Sequence, residues 1–498
     1  MYTLGIDLGS SSIKLSLFDV GNGVVVGSEQ QPEEEMRIES PQPGWAEQDP
    51  SLWWHHMVNG MSLLKKKYPS AFAAIQAIGI AYQMHGLVAV DKNLNPVRPA
   101  IIWCDSRAVD AGDKLKQLLS PRVRLNHLLN APGNFTAARV KWVKDNEPDT
   151  FNRIAYILLP GDYIAMRLTG EVSTTATGLS EAILWDFKSH GLSESMLEAM
   201  GVEKDIIPPL VPMIGEQGQL VKSVSEELGL APGIKISYRA GDQPNNAFSL
   251  NVLDPGQFAT TAGTSAVIYG VTDTYLCDPQ NRINTFLHLN DQENRPRHGM
   301  LMCINGSGIA YQWMKRLLSV SSQVNYEQLN ELAVKASEGS DDLYFFPFGN
   351  GSERILDNQK LNASLHNLDF NRHSSKHLIR ATIEGIAFAM RYGFDRLGLL
   401  GMSAKVIRAG RANLFLSPLF KEIFVNTMDV PLELYETDGA AGAARGAALG
   451  CGAYNGLKQA FSTLALLEYF EPEKSRVARY GQIYDRWHSL LQNILNER

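Results

Sequence analysis

The hydrophobic pattern opens on a period of two. Leu4, Ile6 and Leu8 alternate with smaller or polar residues, Gly9-Ser10-Ser11-Ser12 interrupts them, and Ile13, Leu15 and Leu17 alternate again. Two such runs around a small-residue turn predict a β-hairpin. A third strand is expected at 24–28, after the Gly21-Asn22-Gly23 turn. The pattern returns at 257–271, where Phe258, Thr260 and Ala262 lead into Gly263-Thr264-Ser265 and Val267 and Tyr269 lead out. Two hairpins half a chain apart suggest two halves of related architecture.

Elsewhere strands and helices alternate. Short apolar runs at 78–81, 100–103 and 234–239 predict buried strands, the last ending at Gly241-Asp242. Residues 51–68 and 135–145 predict helices, and 153–168 a strand running into a helix. In the second half, 377–397 and 417–426 predict helices, and 405–409 and 432–435 strands. Residues 471–498 read as a further helix, and 31–50, with four prolines, as an extended connection. Alternation in both halves predicts an α/β fold. The boundary is expected between 242 and 257, giving domains 1–245 and 246–498.

Composition narrows the function classes. A chain of 498 residues predicts two or three domains. A net charge of −7 argues against a dominant nucleic-acid or membrane surface. The four cysteines form no CxxC pair, which disfavours structural zinc and fits a reducing compartment. No apolar run suits a membrane span, and Asp7 interrupts the place of a secretory leader. The expected location is cytoplasmic.

Candidate chemistry gathers where strands end. Asp7 closes a strand before Gly9, Ser10 and Ser11, and such a turn offers backbone N–H groups to phosphate oxygens. A carboxylate beside phosphate points to a metal ion. Lys14 lacks Walker A spacing. Gly263-Thr264 repeats this chemistry in the second hairpin. Asp242, at a strand-to-helix turn, reads equally as a helix cap or a general base. Gln83-Met84-His85-Gly86 follows one buried strand, and Trp103-Cys104-Asp105-Ser106-Arg107 follows another. Together they supply the donors and acceptors a polyol needs. Gly21-x-Gly23-x-x-x-Gly27 reads as hairpin turns rather than a dinucleotide fingerprint. The Gly439/442/446/450 stripe admits either a close backbone or a flat ligand.

These segments resemble the FGGY carbohydrate kinases, of the actin-like ATPase class. GIDLGSSSIK is similar to that family's first phosphate hairpin, AGDQPNN to its catalytic segment and TTAGTSAVI to its second hairpin. GWAEQDPSLWW, IAYQMHGLVAVD and RPAIIWCDSR resemble the branch that phosphorylates D-xylulose, and LLPGDYIAMRLTGE is similar to the family's strand and helix before the sugar site. The match runs from residue 1 to about 455. It implies two RNase H-like domains with a catalytic cleft between them, and transfer of phosphate from ATP, with Mg²⁺, to D-xylulose. Another ketose or polyol, or a non-catalytic sensor on the same fold, are the alternatives. Carried over, Asp242 is the general base and Asp7 assists at the phosphate, holding Mg²⁺ through water. Gln83, Met84, His85, Trp103 and Asp105 line the sugar pocket. Gly9, Ser10, Ser11, Gly263, Thr264, Gly308, Gly410, Arg411 and Asn413 attend ATP. A homodimer is common among the resembling proteins. The chain departs from the family at Ala409-Gly410-Arg411-Ala412-Asn413, in place of a glycine triplet, at Ile355-Leu356, in place of Thr-Pro, and at Gly161, in place of a lysine.

Overall fold

The first hairpin pairs strand β1 (Tyr2–Leu8) with β2 (Ile13–Asp19), antiparallel, with Asp7 opposite Lys14. Strand β3 (Val24–Gln31) continues it past the predicted turn, three residues longer than expected. Strand β4 (Ile75–Tyr82) joins β1 in parallel, and β5 (Lys235–Gly241) joins β4 in parallel. The order β5-β4-β1-β2-β3 places the C-terminal ends of β1, β4 and β5 side by side, with Asp7 beside Ala81 and Tyr82 beside Gly241. The computed structural model describes residues 1–319 and 324–497.

Each face of this sheet is covered by a helix of opposite character. Leu4, Ile6, Leu8 and Leu15 share a core with Trp53, Met57, Met61 and Leu64 of the Pro50–Lys67 helix. The other face carries Thr3 and Gly5, and against it lies the Gly439–Gly450 helix. The approach is close enough for Thr3 Oγ1 to donate to Ala444 O at 2.8 Å, and Ser237 Oγ to Ala447 O at 2.9 Å. A Cβ on Gly79 would lie 2.1 Å from Ala443 O, and one on Gly446 2.2 Å from Tyr238 Cδ2. The small-residue stripe therefore serves backbone packing.

The second sheet begins with the second hairpin, β6 (Gln257–Ala262) and β7 (Ala266–Thr272). It adds β8 (Asn284–Leu287), β9 (His298–Ile304), β10 (Val406–Gly410), β11 (Leu432–Tyr435) and β12 (Leu466–Phe470), in the order β8-β9-β7-β6-β10-β11-β12. Parallel pairing of β6 with β10 and of β10 with β11 mirrors the first sheet. Its core includes Ile383, Ala387 and Phe388 of the Ser375–Leu399 helix and Tyr480, Tyr484, Trp487 and Leu491 of the Lys474–Asn496 helix. The C-terminal helix is thus part of this core, and Trp487 Nε1 donates to Phe345 O at 3.0 Å.

The chain forms two compact units. One comprises Met1–Asn251, Phe286–His298 and Thr437–Leu464, the other Val252–Thr285, Gly299–Glu436 and Ala465–Arg498. The first unit thus takes back Phe286–His298 and Thr437–Leu464 from the later half of the chain, returns for which the sequence carries no local signal. The run at 100–103 shortens to the strand Ala100–Ile101, which pairs with Glu47–Gln48, and Trp103 stands in the turn beyond, 48% exposed.

Candidate functional site

In the first unit the aligned strand ends collect the carboxylates. Asp7 closes β1 and Asp242 opens the Asp242–Ser249 helix directly after β5. A Cβ on Gly439 would lie 2.3 Å from Asp7 Oδ2, so the start of the Gly439–Gly450 helix abuts that carboxylate. Asp438 caps this helix, accepting from Ala441 N at 2.8 Å. Burial pushes Asp7 up to about 6; Lys14 opposes the rise and Asp438 adds to it. Burial likewise pushes Asp242 up to about 7, with the Asp7 charge adding to it and hydrogen bonds to Gln243 opposing. A carboxyl with that value near neutral pH suits a general base. The cap reading of Asp242 fails, because Gly241 is the cap residue and Asp242 begins the helix proper.

Residues after β4 meet the same place. Gln83 N donates to Leu8 O at 2.7 Å, and its side chain is buried. A Cβ on Gly241 would lie 2.6 Å from Met84 Cγ and 2.7 Å from Glu181 Oε2, so glycine there lets both side chains reach the end of β5. His85 Nδ1 donates to Glu181 O at 3.0 Å. Its ring stands edge-on to Phe135 at 4.5 Å and tilted to Phe286 at 5.5 Å. Glu181 ends the short Ala176–Glu181 helix, and burial pushes its carboxyl well above the usual range, with Asp242 and Asp162 adding to the rise. Sequence reading missed Glu181, a lone acidic residue between Leu179-Ser180 and Ala182-Ile183 with no motif around it. The glycine at 161 is also explained: a Cβ there would lie 2.1 Å from Tyr82 Cδ1, and Tyr82 lies beside Glu181.

The first turn and the Trp103 segment are joined. Gly9 N donates to Ser12 O at 3.0 Å, closing the turn, and Met36 N donates to Ser11 O at 2.7 Å. Trp103 Nε1 donates to Ser10 Oγ at 3.1 Å. Asp105 is different in kind. It is fully buried, and its carboxylate accepts from Ala46 N at 2.5 Å, Arg107 N at 2.8 Å and Arg107 Nη2 at 2.7 Å. Its oxygens shape the turn from within.

The second unit gathers a separate cluster. Gly308 N, opening the Gly308–Leu318 helix, donates to Gly263 O at 2.8 Å, and Ser307 N donates to Thr264 O at 3.3 Å. A Cβ on Gly308 would lie 2.3 Å from Gly263 O, and one on Gly263 3.4 Å from Asn413 Nδ2. Gly263, Thr264, Gly308 and Asn413 therefore meet. Gly410 ends β10, while Arg411 is exposed, with Nη2 4.0 Å from Glu436 Oε2. Glu353, a second carboxylate not anticipated, accepts from Asn305 N at 3.0 Å and Gly306 N at 3.3 Å. Burial pushes it up to about 7, against those two hydrogen bonds. Among the described residues no three metal-ligating side chains cluster, and no helix is long and apolar enough to cross a membrane.

The chain is similar to known proteins over nearly its whole length. The Escherichia coli K12 xylulose kinase is 28% identical over 499 residues, covering 99% of each chain. The Lactococcus lactis xylulose kinase is 28% identical over 512 residues, covering 99% of this chain and 97% of its own. The solved structure of xylulose kinase from Rhodospirillum rubrum superposes with a TM-score of 0.87 at 23% identity, covering 99% of both chains. Residues 2–249 match the N-terminal domain, and residues 258–454 the C-terminal domain, of one family. Acid-bearing strand ends in one unit, a glycine-lined turn in the other and these matches lead to one conclusion: the chain is a sugar kinase and belongs to the FGGY family of carbohydrate kinases, which use ATP as co-substrate.

Proposed function

We propose that this kinase transfers the γ-phosphoryl group of ATP to the C5 hydroxyl of D-xylulose, giving D-xylulose 5-phosphate. The observation that carries the reading is Asp242, with its carboxyl pushed up to about 7 directly after β5, within reach of the Asp7 charge and following Gly241, against which Met84 lies. Phosphoryl transfer asks a protein chiefly to position groups and stabilise charge. Asp242 takes the proton of the attacking hydroxyl. Met84, His85, Gln83 and Trp103 orient the ketose, and Asp105 fixes the turn that carries Trp103. Gly9, Ser10, Ser11, Gly263, Thr264, Gly308, Gly410, Arg411 and Asn413 are the residues that attend ATP.

The residues fit Mg²⁺. Asp7 is a hard oxygen donor whose carboxyl is held up by burial and by Asp438, so a cation there relieves both. Asp7 would hold the ion through water, and the chemistry supplied there would be neutralisation of charge on the phosphates. A cytoplasmic location and a homodimer belong to the same proposal.

The sugar is chosen on sequence, because the fold alone does not discriminate. Structures of a xylulose kinase and a gluconate kinase, both from Lactobacillus acidophilus, each superpose with a TM-score of 0.89 at 20% identity. ADP release with Mg-ATP is therefore to be measured on D-xylulose, D-ribulose, L-ribulose, L-xylulose, L-fuculose, L-rhamnulose, glycerol and gluconate. D-xylulose is expected to lead in kcat/KM. Another sugar in the lead replaces D-xylulose as the substrate.

The acid limb supplies a second test. Asp242 acts deprotonated, so kcat/KM is expected to fall as pH drops through about 7, and to steepen as Asp7 protonates near 6. A profile flat between pH 8 and about 5 contradicts the role of Asp242.

A further inference from the structure

Arg139 lies in the Thr136–Asn146 helix, fully buried, and among the described residues no carboxylate accepts from it. Its guanidinium collects main-chain carbonyls instead. Nη1 donates to His85 O, and Nη2 donates to Trp103 O at 2.9 Å and to Asp105 O at 3.5 Å. These three carbonyls belong to two separate segments, one after β4 and one after Ala100–Ile101. Burying a guanidinium is costly unless its donors are met, and here Nε has no polar partner among the described residues. Burial pulls its pKa down to about 10 despite the nearby Asp105 charge. An expensive group held against backbone alone points to a task of placement.

The backbone at His85 shows what is being placed. His85 has φ of 63°, in the left-handed region that a non-glycine residue rarely occupies. Such residues persist where their surroundings over-determine them. His85 is held on two sides: its ring donates to Glu181 O, and its carbonyl accepts from Arg139. A further donor supports the same construction, since Asn134 Nδ2 donates to Asp105 O. Asn134 and Arg139 flank the start of the helix, and Phe135 between them faces the His85 ring.

We propose that Arg139 is a positioning residue for the sugar pocket: it holds the left-handed turn at His85 and locks it to the Trp103–Asp105 turn, so that two pocket walls move as one. The proposal rests on the sugar-kinase reading above and adds a determinant of sugar affinity outside the substrate contacts. Loss of the clamp loosens His85 and Trp103 while Asp242 and the second unit keep their own supports.

The test uses the full chain and the sugar that leads the wild-type panel. Arg139→Met keeps length and burial but removes every donor. It is expected to raise KM for the sugar about ten- to a hundred-fold, with kcat falling less and ADP affinity by calorimetry unchanged. Arg139→Lys, which can reach one carbonyl, is expected to recover part of the loss. A purely structural role would lower the active fraction, cutting kcat at constant KM, and that result overturns the proposal. So does a lysine variant no better than methionine. Should the methionine variant fail to fold, Arg139→Lys and Asn134→Ala carry the test, and a wild-type sugar KM in both rejects the clamp. Failure of D-xylulose to lead shows in the wild-type panel, whereas failure of the clamp shows in the ratio of variant to wild type; a wild type that phosphorylates no sugar overturns both.

Discussion

Asp242→Asn is expected to lower kcat for D-xylulose with Mg-ATP by about 10²–10⁴-fold, the usual scale for a general base. Asparagine preserves shape and leaves the Asp242–Ser249 helix its first residue, but it cannot take a proton. Stability should move the other way. A carboxyl raised by burial favours the fold when protonated, below its unfolded value of 3.8, and that contribution is lost as pH rises through about 7. At pH 8 the wild type holds a charged, desolvated carboxylate beside Asp7, and the asparagine variant does not. The variant is therefore expected to melt at or above the wild type at pH 8, with the difference closing as pH falls toward about 5. ADP release paired with calorimetry at the two pH values reads both effects. Near-wild-type turnover in a folded variant would remove Asp242 from the mechanism; a variant melting well below wild type at pH 8 would show that the burial cost had been misread.

Gly5→Val is expected to destabilise the first unit by about 3 kcal/mol or more, enough to leave little folded protein at physiological temperature. A Cβ on Gly5 would lie 1.8 Å from Ala440 O and 2.6 Å from Ala444 N. Both obstacles are helix backbone, so no rotamer change relieves them. Either β1 or the Gly439–Gly450 helix must shift, and Asp7 lies two residues on. Gly398 serves as the control: it is helical, and a Cβ there meets nothing within 4 Å. Gly398→Ala is expected to leave stability unchanged or raise it by up to about 1 kcal/mol. Thermal unfolding of the two variants checks the contrast, and equal melting temperatures would show that the helix is not seated as described.

The parts of the site that local patterning reveals are those at the ends of regular strands. Alternation of Leu4, Ile6 and Leu8 places Asp7 at a strand exit, and the apolar run before Gly241 does the same for Asp242. The two glycine-hydroxyl turns follow from the hairpins they close. What local sequence cannot carry is which strands become neighbours. Only the pairing of β4 with both β1 and β5 turns three separate exits into one site. Glu181 and Asp438 act through neighbours distant in sequence, and nothing in their flanking residues marks them. Asp105 misleads in the opposite sense: beside Trp103 and Arg107 it reads as a pocket residue, yet Arg107 and Ala46 N occupy its oxygens. The glycine stripe announces a close approach, and the sheet supplies the partner.

That partner arrives late. Thr3 and Ala444 are 441 residues apart in sequence, yet they are hydrogen-bonded across the first sheet. During synthesis the first strands leave the ribosome with the face that carries Gly5 and Gly79 uncovered, and the helix that covers it is made only after hundreds of further residues. The sheet therefore waits in an incomplete form, exposed to chaperones and to mispairing, and the first unit closes only once the chain has been made through the Gly439–Gly450 helix.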